Sequence, residues 1–141
     1  MSSNNVQFSV AVHIMQVLHV HSEKRVVSSF ITESVNTDAG TVRTVLSKLA
    51  KAGLVLTTRG RGGSSALARR ADQINLLDIY NAVTSQPVFL IHGHAVQRKC
   101  TVSRHHKQTM RCVLADCQRS FEASLAERKL ADIVDPMRRV G

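Results

Sequence analysis

With 141 residues, 43 % of them apolar but only 4 % aromatic and none Trp, the chain can bury one core of Val, Leu, Ile and Ala, which suits helices better than a β-sandwich or barrel. No apolar run approaches the roughly 18 to 20 residues that span a bilayer, and the polar start, Met1 to Gln7, lacks the basic and apolar regions of a secretory signal, so the expectation is a cytoplasmic protein with no membrane partner. Nineteen Lys and Arg against ten Asp and Glu leave a formal charge of +9, which favours a polyanion as partner because each neutralised phosphate releases counterions.

From Val6 to Val20, Val6, Val10, Ile14, Val17 and Leu18 recur at helical spacing and predict one amphipathic core helix. Ser28 and Ser29 precede a short apolar-periodic stretch, Phe30, Ile31, Ser34 and Val35, that ends at Asn36-Thr37-Asp38. Short polar side chains of this kind make turns and bind free N–H groups at a helix start. A second helix follows, with Val42, Val45, Leu46 and Leu49 on one face and Thr41, Arg43, Thr44, Ser47, Lys48 and Lys51 on the other. Gly53 stops it as a left-handed residue. Helix, tight turn and helix make a helix-turn-helix, whose second helix has one side on the core and one free for the major groove.

Leu54 to Thr58 then reads as a strand, Arg59-Gly60-Arg61-Gly62-Gly63 as a turn carrying two guanidiniums, and Ser64 to Ala68 as a returning strand. Two strands around such a turn, directly after a helix-turn-helix, make a winged helix. Glycines let the tip approach a phosphate backbone, and arginine there can enter a narrow minor groove. A nucleotide-binding loop is the weaker reading, because no Lys-Ser/Thr follows at the required spacing and a strand comes next.

Asn75 is the expected cap of a further helix, with Asp78 near its positive end and Ile74, Leu77, Ile79 and Val83 turned inward. That helix closes near Ser85-Gln86-Pro87, and an irregular stretch, Val88 to Lys99, holds His92 and His94. From Thr101 to Glu127 a long helix carries Val102, His106, Met110, Val113, Cys117, Phe121 and Leu125 along one stripe. One small head offers too little surface to cover it, so a second copy is expected to do so, giving a two-fold homodimer. Leu130, Ile133 and Val134 predict a closing helix stopped at Asp135-Pro136. The fold class is therefore mainly α with a small β-wing. A winged helix-turn-helix DNA-binding domain occupies 1–85, a linker or sensor loop 86–100, and a dimerisation and closing helix 101–141.

Within this order the chain resembles the Rrf-two family of bacterial winged-helix regulators. The residues that carry the resemblance are Ser34 to Asp38, Val42-Arg43, Leu49 to Val55, Gly60 to Gly63, Leu67-Ala68 and Asn75 to Val83, and it extends from about Val6 to Val134. The resemblance implies a homodimeric transcriptional regulator, usually a repressor, on a partly palindromic double-stranded DNA operator. It places Thr37, Asp38, Thr41, Arg43, Thr44, Arg59 and Arg61 at the family's DNA-contacting positions. Arg43 is the candidate base contact, since a guanidinium pairs bidentately with guanine. Lys48 and the wing arginines are candidates for phosphates.

Some members of that family hold an iron–sulfur cluster through three closely spaced cysteines. This chain departs from the pattern: Cys100 lies near the start of the long helix, while Cys112 and Cys117 fall inside it, about 140° apart in rotation. Cys117 reads as a small core residue on the apolar stripe. Three cysteines also argue against a disulfide framework. Arg98, Lys99, Arg104, His105 and His106 surround Cys100, and cations at a helix start favour the thiolate that oxidants attack, so Cys100 is the candidate redox-sensing residue. No resident cofactor is expected. The alternatives are a metal- or iron–sulfur-sensing regulator, with His92, His94 and Cys100 as loosely spaced ligands, or a ligand-sensing module whose DNA binding is secondary. No paired carboxylates, metal-binding helix motif or nucleophile elbow suggests an enzyme.

Overall fold

A computed structural model describes residues 3–58 and 63–134 of the chain, with side chains from Val6 onward. In chain order the elements are α1 (Ser3–Val20), β1 (Val26–Val27), α2 (Ser28–Val35), α3 (Ala39–Lys51), β2 (Val55–Thr57), β3 (Ser64–Leu67), a 3-10 turn (Ala71–Gln73), α4 (Leu76–Val83) and α5 (Thr101–Ala126). Residues 130–134 form a further helical segment. The fold is the expected one, mainly helical with a small sheet and a long C-terminal helix. The glycine-rich tip with Arg59 and Arg61, and the stop at Asp135-Pro136, lie outside the described residues.

One apolar core joins the head helices. Ile14, Leu18, Ile31, Val42, Val45, Leu49, Leu54, Ile74 and Ile79 are all buried, and Leu130 and Val134 close it from the C-terminal side. The first helix buries Ile14, Val17 and Leu18 of the expected face, but that face is wider at its centre and does not reach the start of the helix. Val6 is 51 % exposed, whereas Ala11 and Met15 take inner positions beside Ile14 and Leu18. In α4 the inner face is Leu76, Ile79, Tyr80 and Val83, and Leu77 is only half-buried. Phe30 also faces outward, with its ring edge-on to His21 at 5.1 Å.

The local signals explain where the helices start and stop. Asn36 adopts φ 61° at the end of α2, and Asp38 caps α3 by accepting the Thr41 N–H at 2.8 Å. Gly53, at φ 77°, turns the chain out of α3 into β2. At α4 the cap is reciprocal: Asn75 Oδ1 accepts from the Asp78 N–H at 2.8 Å, and Asp78 Oδ2 accepts from the Asn75 N–H at 3.1 Å. Replacing Asn75 by Ala is expected to cost about 1 kcal/mol of stability, as lost caps do, and urea unfolding would measure it. An unchanged midpoint would mean that the ladder from 128–130 holds this end of α4 by itself.

The sheet runs β1-β3-β2, antiparallel throughout. β2 and β3 are the wing strands, in register Val55↔Leu67, Leu56↔Ala66 and Thr57↔Ser65. The third strand, β1, was not expected from the sequence. It is two residues long, too short for any periodicity to register, and pairs Val26↔Ser65 and Val27↔Ser64.

Helix α5 is tied to the head at its C-terminal half. The Tyr80 ring meets Phe8 of α1 and Phe121 of α5 edge-on, with centroids 5.6 and 5.5 Å away. Gln118 Nε2 donates to the Tyr80 hydroxyl (3.0 Å), and Gln118 Oε1 accepts from the Val88 N–H (3.1 Å). Backbone bonds from Leu130 N–H to Ile74 C=O and from Leu76 N–H to Arg128 C=O bind the closing segment to α4.

Candidate nucleic-acid interface

Helices α2 and α3 and the wing strands enclose an open groove of about 1120 Å³. Its α3 wall presents Arg43, Ser47 and Lys51, Thr37 stands at its entrance, and Thr57 and Thr58 line the wing side. The apolar half of α3 faces the core through Val42, Val45, Leu46 and Leu49, so the helix can offer its other half to a ligand without losing packing. Arg43 and Thr44 are exposed on that half.

Asp38 and Thr41 are held mainly by each other. Asp38 Oδ1 accepts from the Thr41 hydroxyl at 2.7 Å in addition to the backbone cap. These bonds to Thr41, side chain first and backbone second, hold the Asp38 carboxyl below the usual carboxylate range. Thr44 returns its hydroxyl to the Gly40 carbonyl at 3.0 Å. Lys48 lies on the α1 side of α3, where its ammonium donates to Gln7 Oε1 at 2.7 Å. The fixed cations on the groove wall of α3 are thus Arg43 and Lys51.

A residue that sequence reading missed braces the wing. Arg25, between α1 and β1, donates from Nε to Ser64 Oγ (2.9 Å) and from its terminal nitrogen to the carbonyls of Ser64 (3.2 Å) and Leu56 (3.3 Å). It therefore bridges the two strands near the tip. Ser28 adds a backbone bond to Gly63 C=O, and Thr58 Oγ1 accepts the Ser64 N–H at 2.9 Å. No local pattern around Arg25 announces this, because its partners are 31 and 39 positions away.

Outside the groove, Cys100 occupies the N-cap position of α5 and is exposed. Cys112 and Cys117 are also free and exposed, so Cys117 is not a core residue, although its neighbour Gln118 bonds Tyr80 of the head. Only Leu125 of the expected stripe is buried, while Val102 is 71 % and Val113 47 % exposed.

Three imidazoles meet where the irregular stretch returns to α5. The His92 ring stacks on His106 (5.2 Å, 20°) and lies 5.0 Å from His94, whose N–H donates to His92 Nδ1 at 3.2 Å. Lys107 Nζ donates to the His94 carbonyl at 2.6 Å. Shielding of the stacked ring from water, followed by the nearby His94, His106 and Lys107, lowers the His92 pKa below 6.5. A lowered histidine pKa means that the unfolded chain binds the proton more readily. Stability from this contact is complete above about pH 6.5 and declines as pH falls below it. Thermal melts between pH 7.5 and 5 are expected to show a decline that His92→Phe, which keeps a stacking ring, makes shallower. Parallel pH profiles would sink this account.

Residues 4–136 match the Rrf-two family model, Rrf2, described as an iron-dependent transcriptional regulator. The chain belongs to the Rrf2 family. It is 31 % identical over 132 residues to YwnA of Bacillus subtilis (strain 168), which bears the name of an HTH-type transcriptional regulator, covering 93 % of this chain and 96 % of YwnA. IscR from T. potens shares the fold, with a TM-score of 0.70 at 23 % identity, over 97 % of this chain and 87 % of that one. So does CymR (YrzC), the global cysteine regulator of B. subtilis, with a TM-score of 0.66 at 20 % identity, over 96 % and 95 %. This Rrf2 chain is a transcriptional regulator with a DNA-binding fold, and not an enzyme.

The iron in the family's description can be tested against the side chains present. Cys100, Cys112 and Cys117 are spread along one helix, about 18 Å and 7.5 Å apart in axial rise, and cannot converge on one cluster. Among the described residues no three His, Cys, Asp or Glu side chains are arranged to hold a metal ion. The residues do not fit an iron or cluster site. No helix among the described residues is long and apolar enough to cross a membrane.

Proposed function

We propose that this Rrf2 chain is a homodimeric, sequence-specific repressor acting in the cytoplasm, with α3 in the major groove of duplex DNA and the wing beside it. The observation that carries the reading is the groove between α3 and the wing, whose α3 wall joins Arg43 and Lys51 to short hydroxyl side chains on a helix fully supported by the core behind. In this reading Arg43 makes the base contact, Thr37, Thr44 and Lys51 approach the backbone, and Arg59 and Arg61 reach the flanking minor groove. Asp38 and Thr41 fix the start of α3, and Lys48 steadies α3 against α1. The chain divides by role into a head (1–85), a linker (86–100) and a dimerisation arm (101–141).

Cys100 supplies the signal in this reading. As an exposed thiol at the head of α5, it reacts with a peroxide by forming S–OH while the second oxygen leaves as water. The changed cap then alters the path from linker to arm. The test is selection of bound sites from random duplexes, together with the promoter region of the chain's own gene, using reduced and peroxide-treated protein. A partly palindromic site, bound more weakly after oxidation by the native protein but not by Cys100→Ser, is the expected result. Equal oxidant sensitivity in Cys100→Ser would remove the thiol from the account and leave the repressor. Binding without sequence preference would overturn the repressor itself.

A further inference from the structure

The positive charge is concentrated away from the groove. Residues 88–111 contain five Lys and Arg, four His and no Asp or Glu, so more than half of the chain's net +9 lies in the linker and the first turns of α5. On α5, Arg104, Lys107 and Arg111 are spaced three and four residues apart, which puts them within about 60° of arc on one helix face. The apolar residues Val102 and Val113 lie roughly opposite. One side of α5 is thus suited to a second copy, and the other carries a row of cations.

Among the described residues none of these cations pairs with an acid. Arg104 bonds the Thr101 hydroxyl, Lys107 the His94 carbonyl and Arg111 the Gln108 amide, all neutral acceptors that leave the charge and further donors free. The row ends where Asp116, the first acid on α5, pairs with Arg119. Arg98 and Lys99 extend it into the linker and are exposed. A cationic row of this length costs self-repulsion unless a polyanion offsets it, and duplex DNA is the polyanion that the reading of the head already supplies.

We propose that Arg98, Lys99, Arg104, Lys107 and Arg111 form a second phosphate-contacting surface that grips duplex DNA beyond the stretch read by α3 and the wing. The inference rests on the DNA-binding reading of the head. The surface contributes affinity and salt dependence, not sequence preference, because a row of cations meets phosphates and no base edges.

The test uses the full chain, the variant Arg104→Gln/Lys107→Gln/Arg111→Gln, and two duplexes: the selected site alone, and the same site with about one extra helical turn on each side. Thermal melts check that the variant is folded. On the long duplex the slope of log affinity against log salt is expected to fall by about 5, near 0.9 for each of the phosphate contacts that the two protomers lose, three from each. On the short duplex it is expected to change little. Equal slopes for native and variant protein on the long duplex would overturn the second surface while leaving the head's function intact. If the native protein binds neither duplex, it is the head's reading that fails. Loss of binding to vesicles of phosphatidylglycerol and phosphatidylcholine, with DNA slopes unchanged, would also overturn the proposal and assign the row to an anionic lipid surface.

Discussion

Replacing Arg43 by Ala is expected to weaken binding to the selected operator by about 10- to 100-fold, while affinity for random duplex changes by less than about 3-fold. A bidentate arginine–guanine contact is worth about 1–3 kcal/mol of discrimination, and roughly 1.4 kcal/mol is a factor of ten. The residue can supply such a contact because it stands exposed on the groove wall of α3 and forms no ion pair among the described residues. The α3 residues on the opposite face, Val45 and Leu49, are the buried ones, so truncation of the exposed side chain at position 43 leaves the core alone and the fold intact. Arg43→Lys should recover part of the affinity for random duplex but little of the discrimination, since an ammonium cannot form the planar two-pronged pair. Fluorescence anisotropy on both duplexes separates the roles. An equal loss on operator and random DNA would make Arg43 a phosphate contact. No loss on either would mean that α3 does not enter the groove.

The readable parts of this fold were those governed by nearby residues. Asn36 to Asp38, Gly53 and the Asn75–Asp78 cap are each decided within four positions, and all appear where their chemistry required. The antiparallel wing was legible because a glycine-rich turn leaves two apolar strands little choice but to pair. What escaped was set by distant partners. Arg25 earns its place only after the chain has returned at Ser64, and β1 exists only because β3 is already there to pair with it. Lys48 was grouped with Arg43 by polarity, yet the two are five positions apart, about 140° around the helix, and Gln7 of α1 meets one of them. Tyr80 and Gln118, 38 positions apart, show the same limit, since the bond between head and arm has no local signature.

The arm itself yields the second large effect. Val113→Asp is expected to convert the dimer into a monomer at micromolar concentration and to reduce operator affinity by about 100-fold or more. Within the protomer Val113 is 47 % exposed and Val102 on the same stripe 71 %, so the head does not cover this part of α5. If a second α5 does, a carboxylate introduced there must be desolvated without a partner, which opposes association strongly. The protomer would keep its fold, because Tyr80, Phe121 and Gln118 attach α5 to the head without Val113. Affinity then falls through geometry: two heads joined through one arm find the two halves of a palindrome in a single encounter, an advantage of about 10²–10⁴ that separate heads lose. Sedimentation reads the first effect and anisotropy the second. A variant that remains dimeric would move the interface off this stripe, and the unpaired apolar face of α5 would then need a different occupant. A monomer that binds the full operator as tightly as the native protein would show that a single head suffices, and the two-fold reading of the operator would have to be abandoned.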